Sequence, residues 1–321
     1  MKTKRLICLS LALSVCFLWL TAAQAAEKYK GYARGEAFIT AQELNQLIQA
    51  KDPKLVVIAV AGKTEYFSGH IPGSINIWRP DYEAPAETQG GVTGNLIDAA
   101  GFTKVMQEAG VNADSKVVLY DHKYDATRVW WAFYYYGKTD VRILDGGIKA
   151  WTKAGYGTDL LTPGKAARTG TWVAKVAYPA FRATTPEVAG LKDNANAQLW
   201  DVRGDKEVCG DDMLKGAYRA GRIPWSVQAD WPALKMKDNE AEWVTAVEAK
   251  KFLDAKGFDM NKQQYAHCQS GVRSTQLLFT LYALGWPVEK LHNYDDSWIG
   301  WSKDEKLPIE KGTVDTTPAP W

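Results

Sequence analysis

Apolar residues fall in short, mostly unbroken runs, and between those runs they recur every three or four positions. Leu55–Val60, Lys116–Tyr120 and Val141–Leu144 are such runs in the first half of the chain. A short continuous apolar run predicts a strand buried on both faces, as in a parallel sheet. Leu96–Ala109 and Thr127–Tyr136, which separate these strands, have helical character. The second half repeats the order, with strands expected at Leu199–Val202, Gln264–His267 and Lys290–His292 and helices near Val247–Ala255 and Ser274–Leu284. Strands alternating with helices predict an α/β fold, with a parallel sheet flanked by helices in each half.

The two halves also echo each other in detail. Gly69-His-Ile-Pro-Gly-Ser74 returns as Gly221-Arg-Ile-Pro-Trp-Ser226. Gly110–Lys116 returns as Gly257–Lys262, and Asp145–Trp151 as Asp295–Trp301, all in the same order. A period near 150 residues is one domain, too long for a solenoid repeat. Between the copies, Gly157–Thr185 mixes Thr, Pro, Gly and Lys with poor periodicity and reads as a linker. The expected division is a leader at 1–25, a first module at 26–156, a linker at 157–183, a second module at 184–312 and a loose tail at 313–321.

The leader changes how the charge is read. Residues 1–25 hold Lys2, Lys4 and Arg5 and no acid, then an apolar run from Leu6 to Leu20 and Ala23-Gln24-Ala25. Basic, apolar and small residues in that order predict a cleavable secretory signal, and the run is short for a bilayer span of about 20 residues. An exported, periplasmic or secreted protein with no lasting membrane span is expected. Of 39 basic residues three leave with the leader, so 36 face 37 acids. That balance lacks the excess of Lys and Arg a nucleic-acid partner requires. The 4 Cys and 46% hydrophobic content exclude a disulfide scaffold and low-complexity disorder. Cys8 and Cys16 lie in the leader, which leaves Cys209 and Cys268.

Candidate chemistry concentrates at His267-Cys-Gln-Ser-Gly-Val-Arg-Ser-Thr275, between a strand and an apolar helix. Ligands bind at the carboxyl ends of parallel strands, and a loop rounding into a helix N-terminus aims backbone N–H groups at one point. Gly271 permits the curvature, while Arg273 and the helix dipole favour the thiolate, the nucleophilic form. Cys268 is therefore the expected nucleophile, and Gln269, Ser270, Gly271, Val272 and Arg273 its loop. The isolated His residues show no metal-ligand spacing, and no phosphate or dinucleotide motif occurs, so neither metal nor cofactor is expected.

These motifs resemble the tandem-domain rhodanese sulfurtransferases over nearly the whole mature chain. The resemblance rests on Gly69–Ser74 and on the Cys-x-x-Gly-x-Arg loop of the second module. It implies two rhodanese-like domains, with Cys268 carrying a transferable sulfur as a persulfide. It also implies a small anionic sulfur donor and a thiol or cyanide acceptor, with thiosulfate ahead of 3-mercaptopyruvate as donor. Cys268 to Arg273 is Cys-x4-Arg, one residue shorter than the Cys-x5-Arg ring of cysteine phosphatases. At the matching position of the first module stands Asp121, which cannot hold a persulfide, so that module is expected to be inactive.

The resemblance is looser around the sulfur donor. Arg203, in Asp201-Val-Arg203, is positioned either to meet an anionic donor or to pair with Asp201 or Asp205. Four residues on, other two-domain members place a donor-binding Arg where this chain has Glu207. The loop Cys-Gln-Ser-Gly-Val-Arg matches neither the Cys-Arg-Lys-Gly-Val-Thr of thiosulfate-using members nor the Cys-Gly-Ser-Gly-Val-Thr of mercaptopyruvate-using ones. Arg273 supplies a cation from a different position and joins Arg203 as a candidate substrate-binding residue. Arg219 and Arg222, beside and within Gly221–Ser226, are further candidates for the donor, with a solvated surface role the favoured expectation. Trp225 either walls the pocket or packs, and Cys209 is either a lone thiol or the resolving partner of Cys268 in a redox sensor. A persulfide carrier for a partner protein is the other reading.

Overall fold

A computed structural model describes residues 29–161 and 164–313. The leader expectation lies outside the described residues. Among the described residues no helix is long and apolar enough to cross a membrane.

The first half forms one parallel sheet of five strands, β1 (Phe38–Ile39), β2 (Leu55–Val60), β3 (Ile75–Ile77), β4 (Lys116–Tyr120) and β5 (Val141–Leu144), in the order β1-β5-β4-β2-β3. The second half builds the same sheet from β6 (Arg182–Ala183), β7 (Ala197–Asp201), β8 (Val227–Gln228), β11 (Gln263–His267) and β12 (Leu291–Tyr294), in the order β6-β12-β11-β7-β8. Topology therefore repeats strand for strand, and helices flank both sheets as the alternation predicts. The antiparallel pair β9 (Lys235–Met236) and β10 (Asn239–Trp243) has no counterpart among the described residues of the first half. Its backbone reaches across to the first domain. Gly146 N–H donates to the Ala241 carbonyl at 3.1 Å, and Trp243 N–H donates to Asp145 Oδ1 at 2.9 Å.

The helices Ala126–Tyr135 and Ser274–Ala283 are buried almost all round. A helix apolar on every face belongs inside, and these two pack against each other between the sheets. Thr127 meets Thr275 and Tyr134 meets Tyr282, hydroxyl to hydroxyl, both at 2.8 Å and both 148 residues apart. Equivalent residues touching each other mark a local pseudo-twofold axis, as in an isologous dimer interface. Phe279 completes the seam, edge-on to Trp130 at 4.9 Å and to Phe38 at 5.0 Å. The aromatic run at 130–136 thus serves core and interdomain packing.

The segment between the modules is not a free tether. Trp172 is buried between Phe102 and Phe133, and its N–H donates to the Val111 carbonyl at 3.1 Å. Its polar composition hides this, because the anchor is a single aromatic side chain and its backbone hydrogen bonds.

Candidate active site

β11 ends at His267 and the next helix opens at Ser274, so a six-residue turn, 268–273, carries the cysteine at the carboxyl edge of the sheet. Gly271 turns it at φ +74°, where a Cβ would lie 3.0 Å from Asp295. Left-handed backbone with an occupied side-chain position leaves room for glycine alone. Its carbonyl accepts from Asn293 Nδ2 at 3.1 Å and from Arg128 Nη1 at 3.0 Å, the latter reaching in from the first domain. Arg128 is fully buried, and its guanidinium lies 2.6 Å from Asp295 Oδ1, in charge contact although off the hydrogen-bonding axis.

Cys268 is 1% exposed, at the floor of an interdomain cavity of about 270 Å³. Its N–H donates to Ser297 Oγ at 3.2 Å, and Ser297 holds that hydroxyl in place from the left-handed region, φ 49°. The Ser274 hydroxyl, which donates to Asn293 Oδ1 at 2.6 Å, also lies 3.8 Å from Sγ. Burial alone pushes the thiol's pKa up. The Arg273 charge and the N–H groups of Ser274 and Ser270 outweigh burial and bring the thiol below its ordinary value. The arrangement therefore favours the thiolate form, with two loop amides aimed at the sulfur.

Arg273 lines the cavity, and its guanidinium is clamped by Glu207 through two hydrogen bonds, 2.7 and 2.9 Å. Gln269, Ser270 and Val272 line it too, while Gly271 shapes the turn from behind. Arg203 does not take the donor-facing position that was one of its two expectations. It is buried, with Nε and Nη2 bound to the Asp201 carboxylate at 2.8 and 2.6 Å, and it lies over the Trp298 ring. Arg219 and Arg222 depart from a solvated role. Arg219 binds the carbonyls of Ser302 and Leu307, and Arg222 is buried against Glu310 and the Gly312 carbonyl, tying the 211–222 segment to the C-terminal stretch. Trp225 packs edge-on to Trp301 at 5.5 Å, and Cys209 and Cys268 are both free thiols.

Sequence reasoning missed half of the cavity wall. Arg79, Lys123 and Tyr124 come from the first domain, and Leu214 and Trp231 from second-domain loops. Tyr124 stands edge-on to Trp231 at 5.0 Å, and its carbonyl accepts from Gln276 Nε2 at 2.5 Å, which fixes the first-domain turn against the second-domain helix. Nothing local marks these residues, since only the packing of the two modules brings them together.

The equivalent turn of the first domain, 121–125, has five residues, one fewer than its partner. Asp121 accepts from Ala126 N–H at 2.6 Å, and burial pushes its carboxyl up to about 6. Asp125 stands before the helix, where the second domain has Arg273, and binds Arg79 at 2.6 and 2.8 Å. The two modules thus share one sheet topology, and one of them carries the activated thiol.

Two copies of a parallel α/β module mated about a pseudo-twofold axis, with one activated cysteine at the seam, define a tandem-module thiol protein. The Rhodanese-like domain model matches residues 40–154 and again 184–304, so the chain belongs to the rhodanese family, whose chemistry is sulfur transfer. A sulfur carrier protein, TtuD, of Thermus thermophilus is 31% identical over 297 residues, 88% of this chain and 99% of that one. A thiosulfate sulfurtransferase of Corynebacterium glutamicum is 30% identical over 88% of this chain and 93% of its own length. Among solved structures, the anaerobic ergothioneine biosynthesis enzyme of Chlorobium limicola in complex with trimethyl histidine superposes with a TM-score of 0.75 at 25% identity, covering 88% of this chain and 72% of that one.

Proposed function

We propose that this chain is an exported sulfurtransferase that moves sulfane sulfur from thiosulfate, or a related small donor, to a thiophilic acceptor through a persulfide on Cys268. The observation that carries the reading is Cys268 at the floor of a cavity of about 270 Å³, with Arg273 and two loop amides bringing its thiol below the ordinary pKa. In the first step the Cys268 sulfur attacks the outer sulfur of thiosulfate. The S–S bond to the sulfonate breaks, and sulfite leaves with the electron pair. In the second step cyanide, or a thiolate, attacks the outer persulfide sulfur and releases thiocyanate, or the acceptor's persulfide, restoring the Cys268 thiolate. The loop N–H groups stabilise the persulfide anion between the steps, and the kinetics are ping-pong. The order of charge, apolar run and small residues in 1–25 supports export.

The relative named a sulfur carrier supports a second reading, in which the persulfide passes to a partner protein without turnover on small acceptors. The depth of Cys268 favours the small acceptor, because a protein thiol must enter the cavity to reach Sγ. Incubation with thiosulfate should add about 32 Da, one sulfur, to the intact protein. Cyanide should then discharge that sulfur with repeated turnover. Cys268→Ser should show neither adduct nor turnover with its fold intact. Activity retained in that variant refutes the assignment.

A further inference from the structure

Every cation that lines the cavity carries its own carboxylate. Arg79 is bound by Asp125 at 2.6 Å, Lys123 by Glu240 at 2.9 Å, and Arg273 by Glu207 at 2.7 Å. Three cations against three carboxylates sum to zero, and the Cys268 thiolate makes the reacting site net negative by one charge. The Arg273 clamp is bidentate, with both side chains mostly buried, so the guanidinium is held toward Glu207 and is not free to swing onto an incoming anion. Behind it Asp205 accepts from Gln228 at 2.7 Å, and burial pushes the Asp230 carboxyl up to about 6, with Arg273 opposing the shift and Asp205 and Glu207 adding to it.

We propose that Glu207 is a specificity-determining residue that turns the site against doubly charged sulfur donors and toward donors carrying a single negative charge, such as an organic thiosulfonate or an alkyl persulfide. The proposal rests on the sulfur-transfer reading above and narrows its substrate. Thiosulfate and methanethiosulfonate form a matched pair for testing it. Both present an outer sulfur to the Cys268 thiolate, which forms the new S–S bond as the old one breaks. Sulfite leaves in one case and methanesulfinate in the other, and each carries away the whole charge of its donor. The two donors differ by one charge at the site and share the nucleophile. The ratio of their kcat/KM values therefore cancels any change in thiolate reactivity.

Glu207→Gln keeps the side chain's size and one acceptor for Arg273 while removing the charge. One unit charge acting on one extra donor charge across a partly solvated distance of ~6 Å is worth on the order of tenfold. The thiosulfate-to-methanethiosulfonate ratio, measured as thiocyanate release with cyanide, should rise by about that factor in Glu207→Gln. It should return toward the wild-type ratio in Glu207→Gln/Arg273→Gln, where the site's net charge equals that of the wild type again. An unchanged or lowered ratio in the single variant overturns the proposal. So does a double variant that stays as high as the single one. If neither thiosulfate nor methanethiosulfonate yields thiocyanate or a sulfur adduct on wild-type Cys268, the sulfur-transfer reading itself fails and takes this proposal with it.

Discussion

Arg128 belongs to the domain without the cysteine, yet it supports the turn that carries it, so Arg128→Met tests whether the first module holds the cysteine turn of the second. The guanidinium is fully buried. It donates to the Gly271 carbonyl at 3.0 Å and to the Gly94 carbonyl at 2.8 Å, and it faces Asp295 at 2.6 Å. Removing one member of a buried charge pair costs about 3–5 kcal/mol, because the other charge is left without its partner. Asp295 retains Arg182 at 2.9 Å and the Leu96 N–H at 3.1 Å, which places the expected loss near the lower end, about 3 kcal/mol. That corresponds to roughly a hundredfold shift in the folding equilibrium. Gly271 keeps Asn293 as its second donor, so sulfur transfer should fall about tenfold rather than vanish, the value of one hydrogen bond. Urea unfolding followed by tryptophan fluorescence reads the first effect, and thiocyanate release reads the second. Arg128→Met/Asp295→Asn should recover part of the lost stability, since it removes both charges. If Arg128→Met unfolds within about 0.5 kcal/mol of wild type, the interdomain strut has no energetic role and the argument is wrong.

Two further outcomes follow from the cysteine turn itself. Only the thiolate reacts, so alkylation of Cys268 by iodoacetamide should rise with pH through a midpoint below that of a free cysteine, because of the Arg273 charge and the loop amides. Arg273→Met should move that midpoint upward by about one to two units, because it removes the main opposing charge and leaves Glu207 uncompensated beside the thiol; a midpoint that stays or falls contradicts the assigned cause. Asp121→Cys in a Cys268→Ser background should gain no sulfur adduct by intact mass after thiosulfate treatment. The first-domain turn is one residue shorter, and Asp125 stands near where Arg273 would be needed.

What the chain reveals about itself depends on whether the signal is local. The strands β2, β4 and β5 form over the very runs Leu55–Val60, Lys116–Tyr120 and Val141–Leu144, because a strand buried on both faces leaves an unbroken apolar signature. The edge strands β1, β6 and β8 are two residues each and leave no run to detect. The pair β9 and β10 is fixed by Asp145 and Gly146 of the other domain, which no window of sequence contains. The cysteine turn was legible for the same reason as the central strands. Its glycine, its arginine and its helix start lie within seven residues of one another. Arg203 shows the limit, since Asp201-Val-Arg203 is equally suited to a buried ion pair and to an anion site, and the burial that decides between them is tertiary. Arg79, at the start of the short helix Arg79–Tyr82, and Lys123 and Tyr124, in the 121–125 turn, carried no signal, because their meaning comes from the opposite module.

The loss of the first cysteine also has a geometric consequence at the seam. A pseudo-twofold axis through Thr127–Thr275 and Tyr134–Tyr282 brings the two turns to the same interface. The cysteine turn aims the N–H groups of Ser270 and Ser274 at its own sulfur, while Gln269, Ser270, Val272 and Arg273 line the cavity. In the first domain the shorter turn spends Ala126 N–H on Asp121, and it is left with Lys123 and Tyr124 facing the other cavity and Asp125 holding Arg79 there. The first module therefore supplies one wall, Arg79, Lys123 and Tyr124, of the cavity whose floor is Cys268.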